Sequence, residues 1–174
     1  MELTTLSALL LFLGEGQSGY DVRRLFQTTP IAVFSDSPGA IYPALARLEG
    51  RGFLTSEAQP SARRRRIYRR TPAGNAALDR WLGAPVAMEM VERSPHEIEL
   101  RYVIIVVRLG SAAAAPFLDE AIEAVERRIA DLEAYCAVNQ AMGETSIAAL
   151  GLGIRLFQTR LDWCREMQRK EGKR

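Results

Sequence analysis

Apolar positions in this 174-residue chain recur mainly at helical spacing, and short breaks rich in glycine or proline separate the periodic stretches. Residues 3–13, LTTLSALLLFL, are apolar on nearly every side and predict a buried helix ended by Gly14 and Gly16. Ser18 opens a second helix, SGYDVRRLF, with Asp21 three residues on as a capping-box variant. Val22, Leu25 and Phe26 face inward there, and Arg23 and Arg24 face out. A connection from Gln27 to Asp36 leads to a third helix, SPGAIYPALARLEGRGFL at 37–54. Ser37 is its N-cap, Pro38 its first-turn proline, and Gly50 and Gly52 its stop. Ile41, Leu45 and Leu48 form its buried stripe. Its other face carries Gly39, Tyr42, Pro43, Ala46 and Arg47: small residues, one aromatic and one arginine, a set suited to entering a groove.

Proline inside a helix normally costs about 3 kcal/mol or more, through a lost hydrogen bond and a clash with the carbonyl four residues back. At Pro43 that carbonyl belongs to Gly39, close to the helix start, so the expected cost is smaller and a local bend is expected there.

The period then shortens. Phe53 to Ala58 partly alternates, Gln59 to Ala62 reads as a turn, and RRRRIYRR at 63–70 places six arginines around Ile67 and Tyr68. Two short strands with a basic loop make a wing. Six like charges in eight residues repel one another, so a polyanionic partner is the natural compensation, with a solvated arginine loop as the alternative. Thr71-Pro72 starts a further helix to about Leu82, and residues 84–93 read as a linker. Ser94-Pro95-His96-Glu97 forms a capping box before an apolar helix, HEIELRYVIIVVRL.

Two heptad seams close the chain. Leu118, Ile122, Val125, Ile129, Leu132 and Cys136 step by 4, 3, 4, 3, 4; Ile147, Leu150, Ile154, Phe157, Leu161 and Cys164 step by 3, 4, 3, 4, 3. A break at 139–145 folds one helix back on the other. Helices this apolar are expected to pack against a second copy of the chain, an intramolecular bundle being the alternative.

Charge sharpens the division. Residues 1–82 hold 11 arginines against 7 acidic residues, +4; residues 83–174 hold 12 basic against 14 acidic, −2; the sum is the chain's +2. A basic front half joined to an acidic helical back half suits a nucleic-acid reader with an association domain. The overall expectation is a mainly α protein: a winged helix-turn-helix with a two-stranded β wing over 1–83, the linker, and a helical dimerisation domain over 94–174. Cys136 and Cys164, on apolar seam positions without a CxxC partner, read as buried hydrophobes in a reducing cytoplasm rather than as redox sensors. His96 is the single histidine, so a histidine-based metal site is not expected. No phosphate loop, nucleophile elbow or paired-carboxylate pattern stands out, and neither an enzyme nor a bound cofactor is expected. No signal peptide and no apolar run long enough to span a bilayer is read in the sequence.

The pieces SGYDVRRLF, SPGAIYPALARLEGRGFL and the Y-x-x-T-x-x-G element at 68–74 together resemble the PadR family of bacterial transcriptional regulators, whose hallmark is an S-P-G-S-I-Y-P-A-L-x-R-L-E run. The resemblance covers roughly the first 80 residues, and the longer C-terminal region is similar to the larger, phenolic-acid-responsive subfamily. It implies a cytoplasmic winged-helix homodimer, on the nucleoid when bound to its inverted-repeat operator. It further implies repression, relieved by a small aromatic or drug-like effector. Two departures matter: Ala40 stands where the family commonly has serine, and RRRR at 63–66 replaces a mixture of basic and polar residues. The latter favours backbone affinity over base discrimination.

The residues expected at DNA are Ser37, Gly39, Ala40, Tyr42, Pro43 and Arg47 of the third helix, Arg24 of the second, and Arg63, Arg64, Arg65, Arg66 and Tyr68 of the wing. Trp81, Met88, Tyr102, Phe157 and Trp163 are the aromatic and soft side chains available to line an effector cavity, although core packing accounts for them equally well. Two other classes compete with the regulator: a helical scaffold that keeps the fold without reading DNA, and a protein that sequesters a small molecule.

Overall fold

The computed structural model describes residues 3–28, 38–59, 65–139 and 143–172. They form two compact units, divided between Gly83 and Ala84.

In the first unit, helix α1 (Thr5–Leu13) is capped by Thr4, whose Oγ1 accepts the Ser7 N–H at 3.2 Å. Ala8, Leu9, Leu10 and Leu11 are all fully buried, so the helix runs through the middle of the core rather than along its edge. At roughly 1.5–3 kcal/mol per buried leucine, its three consecutive leucines supply on the order of 5–9 kcal/mol of hydrophobic stabilisation as an upper bound. Helix α2 (Gly19–Thr28) begins with the expected capping box in reciprocal form: the Asp21 carboxylate accepts from both the N–H and the hydroxyl of Ser18, while Ser18 Oγ accepts the Asp21 N–H. Helix α3 (Pro38–Gly50) runs through Pro43 without interruption and buries Ile41, Ala44, Leu45 and Leu48. Its expected N-cap, Ser37, lies outside the described residues, as does most of the connection before it.

The end of α3 is a Schellman motif. Gly52 takes φ +70°, the Phe53 N–H bonds the Leu48 carbonyl and the Gly52 N–H bonds the Glu49 carbonyl, both at 2.9 Å. This turns the chain into strand β1 (Leu54–Ala58), which pairs antiparallel with β2 (Arg66–Arg70) in the register Leu54 to Arg70 through Ala58 to Arg66. A third segment joins this hairpin. Ser18 bridges Ile67, the Gly16 N–H bonds the Tyr68 carbonyl, and the Tyr68 N–H bonds the Gln17 carbonyl. No pattern marks it in the sequence, because a segment of two or three residues between helix ends is too short to show alternation. Helix α4 (Pro72–Leu82) starts on Thr71, whose Oγ1 accepts the Gly74 N–H at 3.0 Å. Three helices, a hairpin and a closing helix make a winged helix-turn-helix.

The second unit contains helices α5 (Met88–Arg93), α6 (His96–Leu109), α7 (Ala114–Val138) and α8 (Glu144–Glu171), with a 3-10 turn at Ser111–Ala113. Residues 84–93, expected as a linker, belong to this unit and are strapped onto it. Val91 is fully buried, the Val86 N–H bonds Glu120 at 3.0 Å, and Arg128 pairs with Glu92 at 2.8 Å. Arg101 completes the strap from α6: it donates to the Ala84 carbonyl, approaches Met90 Sδ at 3.7 Å, and stacks 4.9 Å over the Phe117 ring. Burial lowers its pKa, partly offset by Glu97 and Glu120. The Ser94 capping box does not form either. Ser94 is the C-cap of α5, and the Glu97 N–H bonds its backbone carbonyl instead of its side chain.

The heptad seams close within the chain. Leu118, Val125, Ile129, Leu161 and Cys164 are buried in the single protomer, and Ile122, Leu132, Leu150, Ile154 and Phe157 are half-buried; only Ile147 is exposed. An antiparallel hairpin and a two-chain coiled coil impose the same spacing, and here most of the seam is covered by the facing helix of the same chain. The hairpin is laced by Arg165–Glu126 at 2.6 Å and Gln168 to Asp119 at 2.5 Å. Apolar side chains that remain exposed are others: Val103, Val107 and Leu109 on α6, Tyr135 and Val138 on α7, and Leu152 and Leu156 on α8.

Candidate nucleic-acid interface

The outward face of α3 carries exposed Gly39, Pro43, Ala46 and Arg47, half-exposed Ala40, and Tyr42 at 41% exposure. Tyr42 is not loose. A Cβ at Gly19 would lie 2.7 Å from its Cε1, so the ring rests directly on the α2 backbone at the one position without a side chain. This packing fixes the ring while leaving one edge to solvent. Arg24 is exposed on α2.

The described arginines of the hairpin differ in their surroundings. Arg65 and Arg66 are exposed, and each has a partner within the fold. Arg65 lies 5.5 Å over the ring of Tyr20, and Arg66 Nη2 meets Glu49 Oε1 at 3.0 Å. The same Glu49 oxygen accepts the Ser56 hydroxyl at 2.7 Å, so one carboxylate of α3 holds both strands of the hairpin. Arg63 and Arg64 lie outside the described residues. Arg70 does not face outward. Its guanidinium caps the end of α1, donating to the carbonyls of Leu11 and Phe12 at 2.8 and 3.0 Å and to Asn75 at 3.2 Å, and its own N–H bonds Glu15.

Tyr68, expected at DNA, is instead in the core at 8% exposure, and burial raises its pKa. It shares a strand face with Arg66 and Arg70, so the two-residue period by itself does not mark it as buried. The end of the Y-x-x-T-x-x-G element is structural too. Thr71 Oγ1 donates to the Gly52 carbonyl at 2.6 Å, the Thr71 N–H bonds the Phe53 carbonyl at 3.1 Å, and Gly74 packs so tightly on Phe53 that a Cβ would come 2.9 Å from its carbonyl carbon. The element thus ties the start of α4 to the turn leaving α3.

This first unit is where the chain meets known proteins. The transcriptional regulator PadR-like family matches residues 9–80. Residues 9–80 belong to that family. The transcriptional regulator Rv3488 of Mycobacterium tuberculosis is 48% identical over 63 residues, which make up 34% of this chain and 59% of that protein. The chain therefore aligns with little more than half of that relative's length. Among solved structures, Bacillus subtilis PadR in complex with p-coumaric acid is 18% identical, covering 97% of this chain and 99% of that one, with a TM-score of 0.45. The same protein in complex with operator DNA is 19% identical over 97% and 99% of the two chains, with a TM-score of 0.42.

In the PadR-like domain the hallmark run reads physically as one helix with three duties: a buried stripe, a groove-sized face, and a terminal glutamate gripping the wing. Glu49 and Arg70 are the residues that sequence reasoning left without a role of their own.

Of the five residues considered for an effector, the structure brings together Tyr102 and Trp163, edge to face with centroids 5.3 Å apart. Tyr102 is buried and its hydroxyl donates to Glu171 at 2.7 Å. Met88 and Phe157 are half-buried elsewhere in the helical unit, and Trp81 is on α4 of the PadR-like domain. Among the described residues, no three His, Cys, Asp or Glu side chains come together to hold a metal, and no helix is long and apolar enough to cross a membrane.

Proposed function

We propose that this chain is a homodimeric DNA-binding transcriptional repressor that reads a palindromic operator through α3. The observation that carries the proposal is the α3 face itself. Tyr42 is pinned on Gly19 with an edge exposed, Arg47 stands one turn further along, and exposed arginines flank them on α2 and the hairpin. A helix enters the major groove with few side chains reaching base edges, while arginines on adjacent elements grip phosphate. Gly39, Ala40 and Pro43 keep the leading turn slim, Tyr42 and Arg47 are the base-edge contacts, Arg24 with Arg63 to Arg65 bind the backbone, and Arg66 is engaged with Glu49. Ser37 is assigned to a phosphate at the helix start.

The apolar side chains left uncovered on α6, α7 and α8 support a second copy as partner of the helical unit; Val107 is 67% exposed and Leu156 59%. Release by a small aromatic or drug-like effector is part of the same proposal and rests on family membership. Its test is whether aromatic acids that quench Trp163 fluorescence also lower DNA affinity. Quenching with DNA affinity unchanged favours a sequestering protein instead.

The decisive experiment is selection of duplexes from a randomised pool, followed by competition of the best duplex against a scrambled one. A symmetric preferred sequence bound at least a hundredfold more tightly is the expected result, at the lower end of or below the range of specific over non-specific binding. Equal binding of both duplexes refutes the regulator reading and leaves the scaffold reading.

A further inference from the structure

We infer that Glu49 is a specificity-determining positioning residue, which fixes the wing on the reading helix and holds Arg66 away from phosphate. The inference rests on the DNA-reading role of α3. Glu49 lies near the end of α3, and its Oε1 accepts from Ser56 of β1 at 2.7 Å and from Arg66 of β2 at 3.0 Å. Strand register explains why both reach it. Ser56 pairs with Tyr68 and Ala58 with Arg66, so the two donors stand on one face, diagonally across the hairpin.

Two consequences follow from this single carboxylate. First, the hairpin is tied to α3 at its middle as well as at its root, so the angle between the wing arginines and the groove-facing residues is set before DNA arrives. Second, a negative charge sits in the middle of a cationic surface and neutralises one of its arginines. Binding to arbitrary DNA is almost wholly electrostatic, and each phosphate neutralised adds about 0.9 to the slope of log K against log salt. An arginine engaged with Glu49 is withheld from that count. The pair is solvent-exposed, with Arg66 57% and Glu49 28% accessible, so it adds little to the stability of the fold, and removing the Glu49 charge frees Arg66 for a phosphate. Glu49 therefore lowers affinity for arbitrary sequence while stiffening the geometry that a particular sequence requires.

The test compares wild type, Glu49→Gln, Arg66→Ala and the double variant, on a duplex selected from a random pool and on a scrambled duplex, across a salt series. Glu49→Gln keeps an acceptor for Ser56 but loses the charge. Its expected behaviour is a slope on scrambled DNA steeper by about one, roughly five- to tenfold tighter binding to that duplex near 0.1 M salt, and a reduced preference for the selected one. In the Arg66→Ala background the steepening disappears. Ser56→Ala loosens the same clamp without changing charge; it lowers the preference and leaves the slope alone. Scrambled-duplex binding that is unchanged or weaker in Glu49→Gln overturns the inference, and so does steepening that persists without Arg66. A wild-type chain with no preference refutes the DNA reading itself, a different failure from a wild-type preference that Glu49→Gln leaves intact.

Discussion

Replacing Gly74 by Ala isolates the contact that joins α4 to the turn leaving α3. Within a helix this exchange ordinarily stabilises by up to about 1 kcal/mol, because glycine carries the larger conformational entropy. Here the added Cβ would run into the Phe53 carbonyl oxygen itself, besides lying 2.9 Å from its carbonyl carbon and 3.2 Å from its Cα. Non-bonded heavy atoms prefer separations of about 3.5–4.0 Å, so the backbone must part by roughly an ångström or more. The bonds across that gap are Thr71 N–H to the Phe53 carbonyl at 3.1 Å, Thr71 Oγ1 to the Gly52 carbonyl at 2.6 Å, and the N-cap from Gly74 N–H to Thr71 at 3.0 Å. At about 1 kcal/mol for each bond and for the cap, the loss is near 3 kcal/mol, or about 2 after the helical gain is subtracted. For a domain of this size that is a fall of roughly 8–16 °C in Tm. Circular dichroism melts of wild type and Gly74→Ala measure it. A variant as stable as wild type, or more so, would show that α4 is free to move off the Phe53 turn, and the structural reading of the Y-x-x-T-x-x-G element would be wrong.

Other predictions concern separate parts of the molecule. Burial raises the Cys164 thiol to about 11, so at pH 8 a thiol reagent should modify half-buried Cys136 first and Cys164 only on unfolding; rapid modification of both in the native protein contradicts the packing of α8. The Ser18 hydrogen bond holds the Asp21 carboxyl below its usual 3.8, so its stabilising contribution is complete above that pH and lost as pH falls through the lowered value. Asp21→Asn should therefore destabilise at neutral pH and flatten the acid limb of the stability curve; an unchanged limb refutes it. Leu152→Glu with Leu156→Glu should give a folded monomer by light scattering, whereas Ile129→Glu, buried inside the hairpin, should unfold the helical unit. A dimer that survives the first pair places the second copy elsewhere.

What the sequence discloses depends on how local the cause is. The helices, the α2 capping box and the glycine stop of α3 were legible because each is written within four or five residues. So was the groove-facing set of α3, since a helix sorts its side chains by period alone. The arginine run misled because it was read as a block of charge. Tyr68 and Arg70 turn inward although exposed Arg66 shares their strand face, and the partners that hold Arg70, Leu11 and Phe12, are nearly sixty residues away. The roles of Glu49 and Arg101 were hidden for the same reason: a charged residue on a helix looks solvated until the element opposite is known. The heptad seams were correctly seen as seams, but spacing carries no information on whether the facing helix belongs to the same chain.

Arg47→Ala separates base reading by α3 through Tyr42 and Arg47 from simple phosphate contact. Affinities of wild type and variant are measured for a selected and a scrambled duplex at matched salt. A bidentate arginine–guanine contact carries about 1–3 kcal/mol of discrimination, so the preference for the selected duplex should fall roughly five- to a hundredfold while scrambled binding changes little. Equal losses on both duplexes would make Arg47 a phosphate contact and would contradict the account of α3 as the reading helix.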